Sequence, residues 1–285
     1  MTNRNEPIKT LPPYIHSGRS VGKRCWGTVA ALVPVFLIAA FLGRTELFRV
    51  LLLSLVSAVA FEFLGEKLFR KKDRIQNGES VLTAVLFSLL MPSKCPSEII
   101  IFGNFLAVFI GKELFGGMGS YLFHPVLIAR VFLQMSFSKI LSAEPMLLVG
   151  DDREWIFGAF LLSGLIQRSQ KKNYWEVPLL YMFVCFSGAA LLRAEANPWA
   201  LFNGVFLTAF FLLEDPVAMP MTKKGTMVFV LGAALLSLLA GRKGFSISVA
   251  GCAILLMNLL TPWIDIWIRP VSRGTKTGLK TVSVS

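Results

Sequence analysis

Residues 97–130 read SEIIIFGNFLAVFIGKELFGGMGSYLFHPVLIAR: an apolar run that breaks on Gly111-Lys112-Glu113, passes through Gly116, Gly117 and Gly119, and resumes after Phe123-His124-Pro125 toward Arg130. A helix that spans a bilayer needs about 20 predominantly apolar residues, each rising about 1.5 Å. Residues 97–115 supply one such helix, while 124–138 fall short. Ionisable groups at membrane depth are costly, so Lys112, Glu113 and Arg130 belong on the inside of a bundle or against an aqueous cavity. The pattern reads as a membrane helix, an interruption, and a short helix packed inside protein, where irregular backbone is tolerated.

The rest of the chain repeats this theme. Of its 285 residues 54% are apolar and 16% charged, with a mean hydropathy of +0.64, which places it outside soluble domains and inside membrane proteins. Full-length apolar runs lie at 25–43, 46–68, 97–115, 175–193 and 246–268, and shorter ones at 80–91, 124–138, 154–167, 199–213 and 226–241. The net charge of +12 is not the footprint of nucleic-acid binding, because Lys and Arg lie between apolar runs rather than on one soluble face. They report orientation instead. Arg4, Lys9, Arg19, Lys23 and Arg24 precede the first run, and Lys67, Arg70, Lys71, Lys72 and Arg74 follow the second. By alternation Arg168, Lys171 and Lys172, then Lys223 and Lys224, then Arg269, Arg273, Lys276 and Lys280 share that side. Arg242 and Lys243 break the rule, while the link 139–153 carries Glu144, Asp151 and Asp152.

Ten crossings with both termini cytoplasmic in a cell inner membrane fit this distribution. Residues 1–24 hold no cleavable signal, so the first span doubles as the insertion signal. The six tryptophans sit near predicted span ends, where amphipathic rings prefer to lie. Cys25, Cys95, Cys185 and Cys252 are scattered without a CxxC pair, which argues against zinc, iron–sulfur and disulfide frameworks.

A second break echoes the first half. Asn77-Gly78, Leu82-Thr83-Ala84 and Pro92 recur as Asn203-Gly204, Leu207-Thr208-Ala209 and Pro216, with Thr208 standing 125 residues after Thr83. Five spans separate the copies, so the second enters the membrane from the opposite face, as in inverted repeats. The expected organisation is a cytoplasmic segment 1–24, a first five-helix repeat 25–138, an external loop 139–153, a second repeat 154–269 and a cytoplasmic tail 270–285. The fold class is an all-α polytopic membrane protein of about ten transmembrane segments, with short broken helices.

Two readings apply to each break. The glycines let a neighbouring helix or a bound ring system approach the backbone closely, with Lys112 or Arg130 as cation for a ligand's polar edge. The plainer reading is a helix break held by a pair between Glu113 and either Lys112 or Arg130. Glu214-Asp215-Pro216, followed by Pro220, Thr222, Lys223 and Lys224, is either a ligand or cation site at the end of a short buried helix or a solvated turn. His124 alone is more ordinary as a core or interfacial residue than as a ligand. Asp265 in the last span reads as snorkelling or paired with an arginine. No Ser-His-Asp setting, Walker A loop or carboxylate pair suited to hydrolysis occurs.

These residues resemble a known family. Gly111-Lys112-Glu113 through Gly116, Gly117 and Gly119, with Phe123, Pro125, Arg130, Phe132 and Leu133, is similar to the signature of the RnfD and NqrB membrane subunits. Ser17-Gly18-Arg19-Ser20 resembles that family's N-terminal segment. Asp215-Pro216, Pro220-Met221-Thr222, Met257-Asn258 and Thr261-Pro262 resemble its C-terminal third. The resemblance runs in order along nearly the whole chain. It implies ten spans in two inverted five-helix repeats similar to the urea-transporter architecture, flavin cofactors, and a role in electron transfer coupled to sodium or proton movement beside other Rnf/Nqr-type subunits.

One departure bears on the cofactor. Family members usually attach FMN to a threonine in a Ser-Gly-Ala-Thr motif in the external loop, and residues 139–153 contain no threonine. The Gly-Ser-Ile-Gly-Glu stretch expected near the next span is missing too, and His124 stands where the family usually has Asn. Covalent FMN is therefore expected to be absent. A non-covalent FMN or riboflavin is expected near the breaks, with Lys112, Gly116, Gly117, Gly119, His124, Arg130, Asp215 and Thr222 as candidate contacts. A solute or ion channel on the same scaffold, or a purely structural subunit, are the other readings.

Overall fold

The computed structural model describes residues 21–69, 77–117, 119–141, 145, 147, 152–170, 175–191, 198–215, 217–240 and 246–268. Among them the chain is helical, with no strand. The elements are α1 (Val21–Phe41), α2 (Thr45–Leu68), α3 (Glu79–Leu90), α4 (Ser97–Phe105), α5 (Pro125–Ser136), α6 (Ser138–Leu141), α7 (Arg153–Gln170), α8 (Glu176–Leu191), α9 (Pro198–Leu207), α10 (Lys223–Ala240) and α11 (Ile247–Trp267). Two of them continue without a break into π-helical stretches, α4 into Leu106–Glu113 and α9 into Thr208–Leu212.

Most boundaries follow the apolar runs, but the run at 175–193, expected to be full-length, gives the shorter helix Glu176–Leu191, and the short run at 226–241 extends back to Lys223. Gly22–Phe41, Thr45–Phe69, Lys223–Ala240 and Ile247–Trp267 are long and apolar enough to cross a membrane, whereas Glu79–Leu90, Pro125–Ser136, Glu176–Leu191 and Leu201–Leu212 are apolar but shorter. Large apolar side chains such as Leu52, Val56, Phe183 and Leu239 point outward, and small ones such as Ala39, Ala58, Ala233 and Ala234 point inward. That inversion of a soluble protein's surface is what lipid allows: association then depends on close backbone approach and packing rather than on hiding apolar area from water. At Gly103 of α4 the approach is so close that a methyl group would strike the Phe87 ring of α3 and lie 2.7 Å from Leu133 Cδ1 of α5.

The packing of the first half is mirrored in the second. Helix α1 lies on α3 as α7 lies on α9, and α2 touches α3 and α4 as α8 touches α9 and α10. The α4 rod packs on α5 as α10 packs on α11, and α3 meets α5 as the π-helical end of α9 meets α11. Two strong contacts cross between the halves, α1 with α7 and α5 with α11, and each joins an element to its own counterpart. The echoed threonines behave alike: Thr83 Oγ1 donates to the Glu79 carbonyl at 2.9 Å, and Thr208 Oγ1 to the Gly204 carbonyl at 2.8 Å.

Two features go beyond what the sequence predicts, the π-helical stretches and the short α6. Residues 1–20, 70–76, 118, 142–144, 146, 148–151, 171–174, 192–197, 216, 241–245 and 269–285 lie outside the described residues. They include much of the basic charge used for orientation, most of the 139–153 loop, Ser17–Ser20 and Pro216.

Candidate functional site

The π-helical turn decides what faces inward. Leu114 N–H bonds the Phe109 carbonyl at 2.9 Å and Gly117 N–H the Lys112 carbonyl at 3.0 Å, both i to i−5. Consecutive side chains of an α-helix diverge by about 100°, but the widened turn brings Gly111, Lys112 and Glu113 all into the interior. Such turns are rare and often mark functional positions. The chain then leaves the helix through Gly116, Gly117 and Gly119, with φ of +107°, +89° and +85°. Side chains with a Cβ rarely adopt that region, so glycine is needed there.

Lys112 is 1% exposed and its ammonium is enclosed by oxygen. It forms an ion pair with Glu62 of α2, lies 3.2 Å from Glu79 Oε2 of α3, and reaches Ser80 Oγ at 3.5 Å. Glu62 and Glu79 are buried as well, so three helices converge on one cation. Neither glutamate stands out in the sequence, which points to Glu113 as the carboxylate. Glu113 instead packs on α2 one turn along, where a Cβ on Gly65 would stand 2.8 Å from its Cγ.

The two polar breaks meet. Tyr121, in the link after the glycines, donates its hydroxyl to Asp215 Oδ1 at 3.2 Å, and the same oxygen accepts from Val217 N–H at 3.1 Å. His124 caps the start of α5 with its carbonyl, and its buried imidazole lies in the field of Asp215. Among the described atoms its Nδ1 has no hydrogen-bond partner. The neighbouring Glu214 turns elsewhere, to Arg168 of α7, whose guanidinium stands 5.8 Å from the Phe210 ring centroid. One dipeptide thus ties the end of α9 to both the glycine link and α7.

Other candidates have different surroundings. Arg130 is 1% exposed on α5 and donates to the Leu141 carbonyl at the end of α6, 3.3 Å away. Thr222 Oγ1 accepts from Gly225 N–H at 3.0 Å and so caps α10. Asp265 accepts from the Met221 N–H at 3.0 Å, fixing the link before α10, a backbone partner rather than the arginine or solvent expected from the sequence. Among the described residues no group of three or more His, Cys, Asp or Glu is arranged to hold a metal.

Does this arrangement suit a flavin? Lys112 does not suit a phosphate, because an anion would have to displace Glu62 or Glu79 from an ammonium they already surround, in a medium where charge separation is costly. At the junction of the breaks the buried His124 Nδ1 has no hydrogen-bond partner among the described atoms, and the glycines of the link carry no Cβ, features compatible with the polar edge of a neutral ring.

The NQR2, RnfD, RnfE family matches the chain over residues 8–151 and 146–274. Among relatives, the D subunit of the ion-translocating oxidoreductase complex of Methanosarcina acetivorans is 29% identical over 276 residues, covering 92% of this chain and 96% of its own. The D subunit of the proton-translocating ferredoxin:NAD(+) oxidoreductase complex of Clostridium ljungdahlii is 26% identical, covering 93% and 95%. Its counterpart in the Na(+)-translocating ferredoxin:NAD(+) oxidoreductase complex of Acetobacterium woodii is 25% identical, covering 89% and 91%.

Proposed function

This chain belongs to the NQR2, RnfD, RnfE family, and on that premise we propose that it is the D-type membrane subunit of an Rnf-type complex, in which electron transfer drives sodium or proton translocation. The observation that carries this reading is end-to-end similarity: the family match runs from residue 8 to 274, and relatives named as D subunits align over at least nine-tenths of their own lengths. Its partners are then the other subunits of such a complex and the lipid bilayer.

In this reading the helical rods cross the inner membrane ten times, in two inverted five-helix repeats with both termini cytoplasmic. The mirrored packing supports it, because an approximate two-fold axis makes the contacts between halves reciprocal, and contacts that join an element to its own counterpart, as α1 with α7 and α5 with α11 do, meet that condition. The two family matches also meet at residues 146–151, inside the link between the halves.

A flavin held without a covalent bond near the junction of the breaks completes the proposal. Bound there, it supplies the electron-carrying chemistry, which side chains lack. The chain's own part is to seat it: glycine backbone at Gly116, Gly117 and Gly119 allows close approach, His124 offers a polar contact, and Tyr121 with Asp215 keeps the two breaks together. Phosphate-free riboflavin fits the charge pattern around Lys112 better than FMN does.

Inverted vesicles from cells lacking this chain test the proposal. Electron-driven ion uptake should vanish and return when the chain is restored; uptake that persists without it would defeat the assignment. The restored protein should show no fluorescent band on a denaturing gel under ultraviolet light yet release flavin on acid extraction.

A further inference from the structure

Among the described residues only two helical rods carry a π-helical stretch, α4 and α9, and both stretches end at the junction of the two breaks. A π turn holds one residue more than an α turn, so its closure to the i to i−4 pattern rotates everything beyond it by about 100°. In the first rod the bonds from Leu114 N–H to the Phe109 carbonyl and from Gly117 N–H to the Lys112 carbonyl hold the wide form. In the second, the bond from Leu213 N–H to the Thr208 carbonyl does so at 2.8 Å.

Each rod end is moored on its far side to a different part of the molecule. Lys112 is fixed between α2 and α3 by Glu62 and Glu79. Glu214 is fixed to Arg168 of α7, and the adjoining Gln167 Nε2 donates to Thr28 Oγ1 of α1 at 3.2 Å. Between these moorings stands the bond from the Tyr121 hydroxyl to Asp215 Oδ1. Asp215 is held in its own turn as well: the same oxygen accepts from Val217 N–H, and its carbonyl accepts from Met219 N–H at 3.2 Å. Tyr121 and Asp215 are both buried, and a buried hydroxyl or carboxylate that loses its partner is costly. A change of register in one rod therefore either breaks this bond or carries the other rod with it.

We infer that Tyr121 is a coupling residue that makes the two π-helical stretches change register together, so that a rearrangement begun beside α7 reaches the α2 and α3 side of the molecule. The inference goes beyond the proposed function, because it holds whatever cofactor or ion the complex carries.

Hydrogen–deuterium exchange on the complex purified in mild detergent tests it, read on peptides covering residues 106–113 and 208–213. Arg168→Gln releases Glu214 and loosens the second break at its mooring. With Tyr121 in place, exchange should quicken about fivefold or more in both stretches, the size that one lost hydrogen bond gives. With Tyr121→Phe added, the change should stay within 208–213.

Gly119→Ala sends the disturbance the other way and serves if Arg168→Gln does not assemble. At a φ of +85° an alanine is strained, but open space around its Cβ leaves no clash. Exchange at 208–213 should rise in this variant and cease to rise once Tyr121→Phe is added. A response confined to the altered half while Tyr121 is intact would overturn the inference. So would one that crosses equally well in the Tyr121→Phe background, which is the mark of general loosening rather than of coupling through this bond.

Discussion

At the scale of single residues, the molecule concentrates its buried charge at a few contacts that join distant parts of the chain. Tyr121 and Asp215 are 94 positions apart, and their hydrogen bond is the described polar link between the two breaks. Tyr121→Phe keeps the ring and removes the donor, so the chain should lose about 1 kcal/mol of stability, read as a lower midpoint in a detergent melt; an unchanged midpoint would mean that the link carries no weight. Lys112 and Arg130 are legible as interior residues because an ionisable group within an apolar run has few other places to go. Glu62 and Glu79 are not. Glu62 stands just before Glu66 and Lys67 and reads as part of a charged helix end, while Glu79 follows a polar link, so only the tertiary structure brings them to Lys112. Glu113 looks like the natural partner for the opposite reason: it is adjacent in sequence, and adjacency says little about what a widened turn faces.

At the scale of elements, helices are the most readable level, since the apolar runs at 46–68 and 246–268 become Thr45–Leu68 and Ile247–Trp267. The π-helical stretches escape because Leu106–Ile110 and Ala209–Leu212 are uniformly apolar, and a run without polar markers has no phase from which a 3.6-residue period can be told from a wider one. Small residues at helix crossings are foreseeable only as a class; the structure assigns Gly103 to the meeting of α3, α4 and α5. Gly103→Val should overpack that crossing and lower stability by about 1–3 kcal/mol. Gly158→Val, at a helix position with open space around its Cβ, is the control and should change the melt little. Equal effects at the two positions would show that α4 does not depend on this close approach.

At the scale of the whole molecule, the end-to-end family match makes the chain a membrane subunit of an Rnf-type complex, and the packing among the helices of its first half is mirrored in the second. The short sequence echo between residues 77–92 and 203–216 hints at the two halves, but the matching contacts between their helices can be seen only in three dimensions. The most direct measurement is to extract the tagged chain from its own membranes in mild detergent and identify by mass spectrometry what accompanies it, together with any flavin released by acid. The predicted result is a stoichiometric set of membrane and flavoprotein subunits of an ion-translocating oxidoreductase. Recovery of the chain alone, intact and without flavin or redox partners, would contradict it.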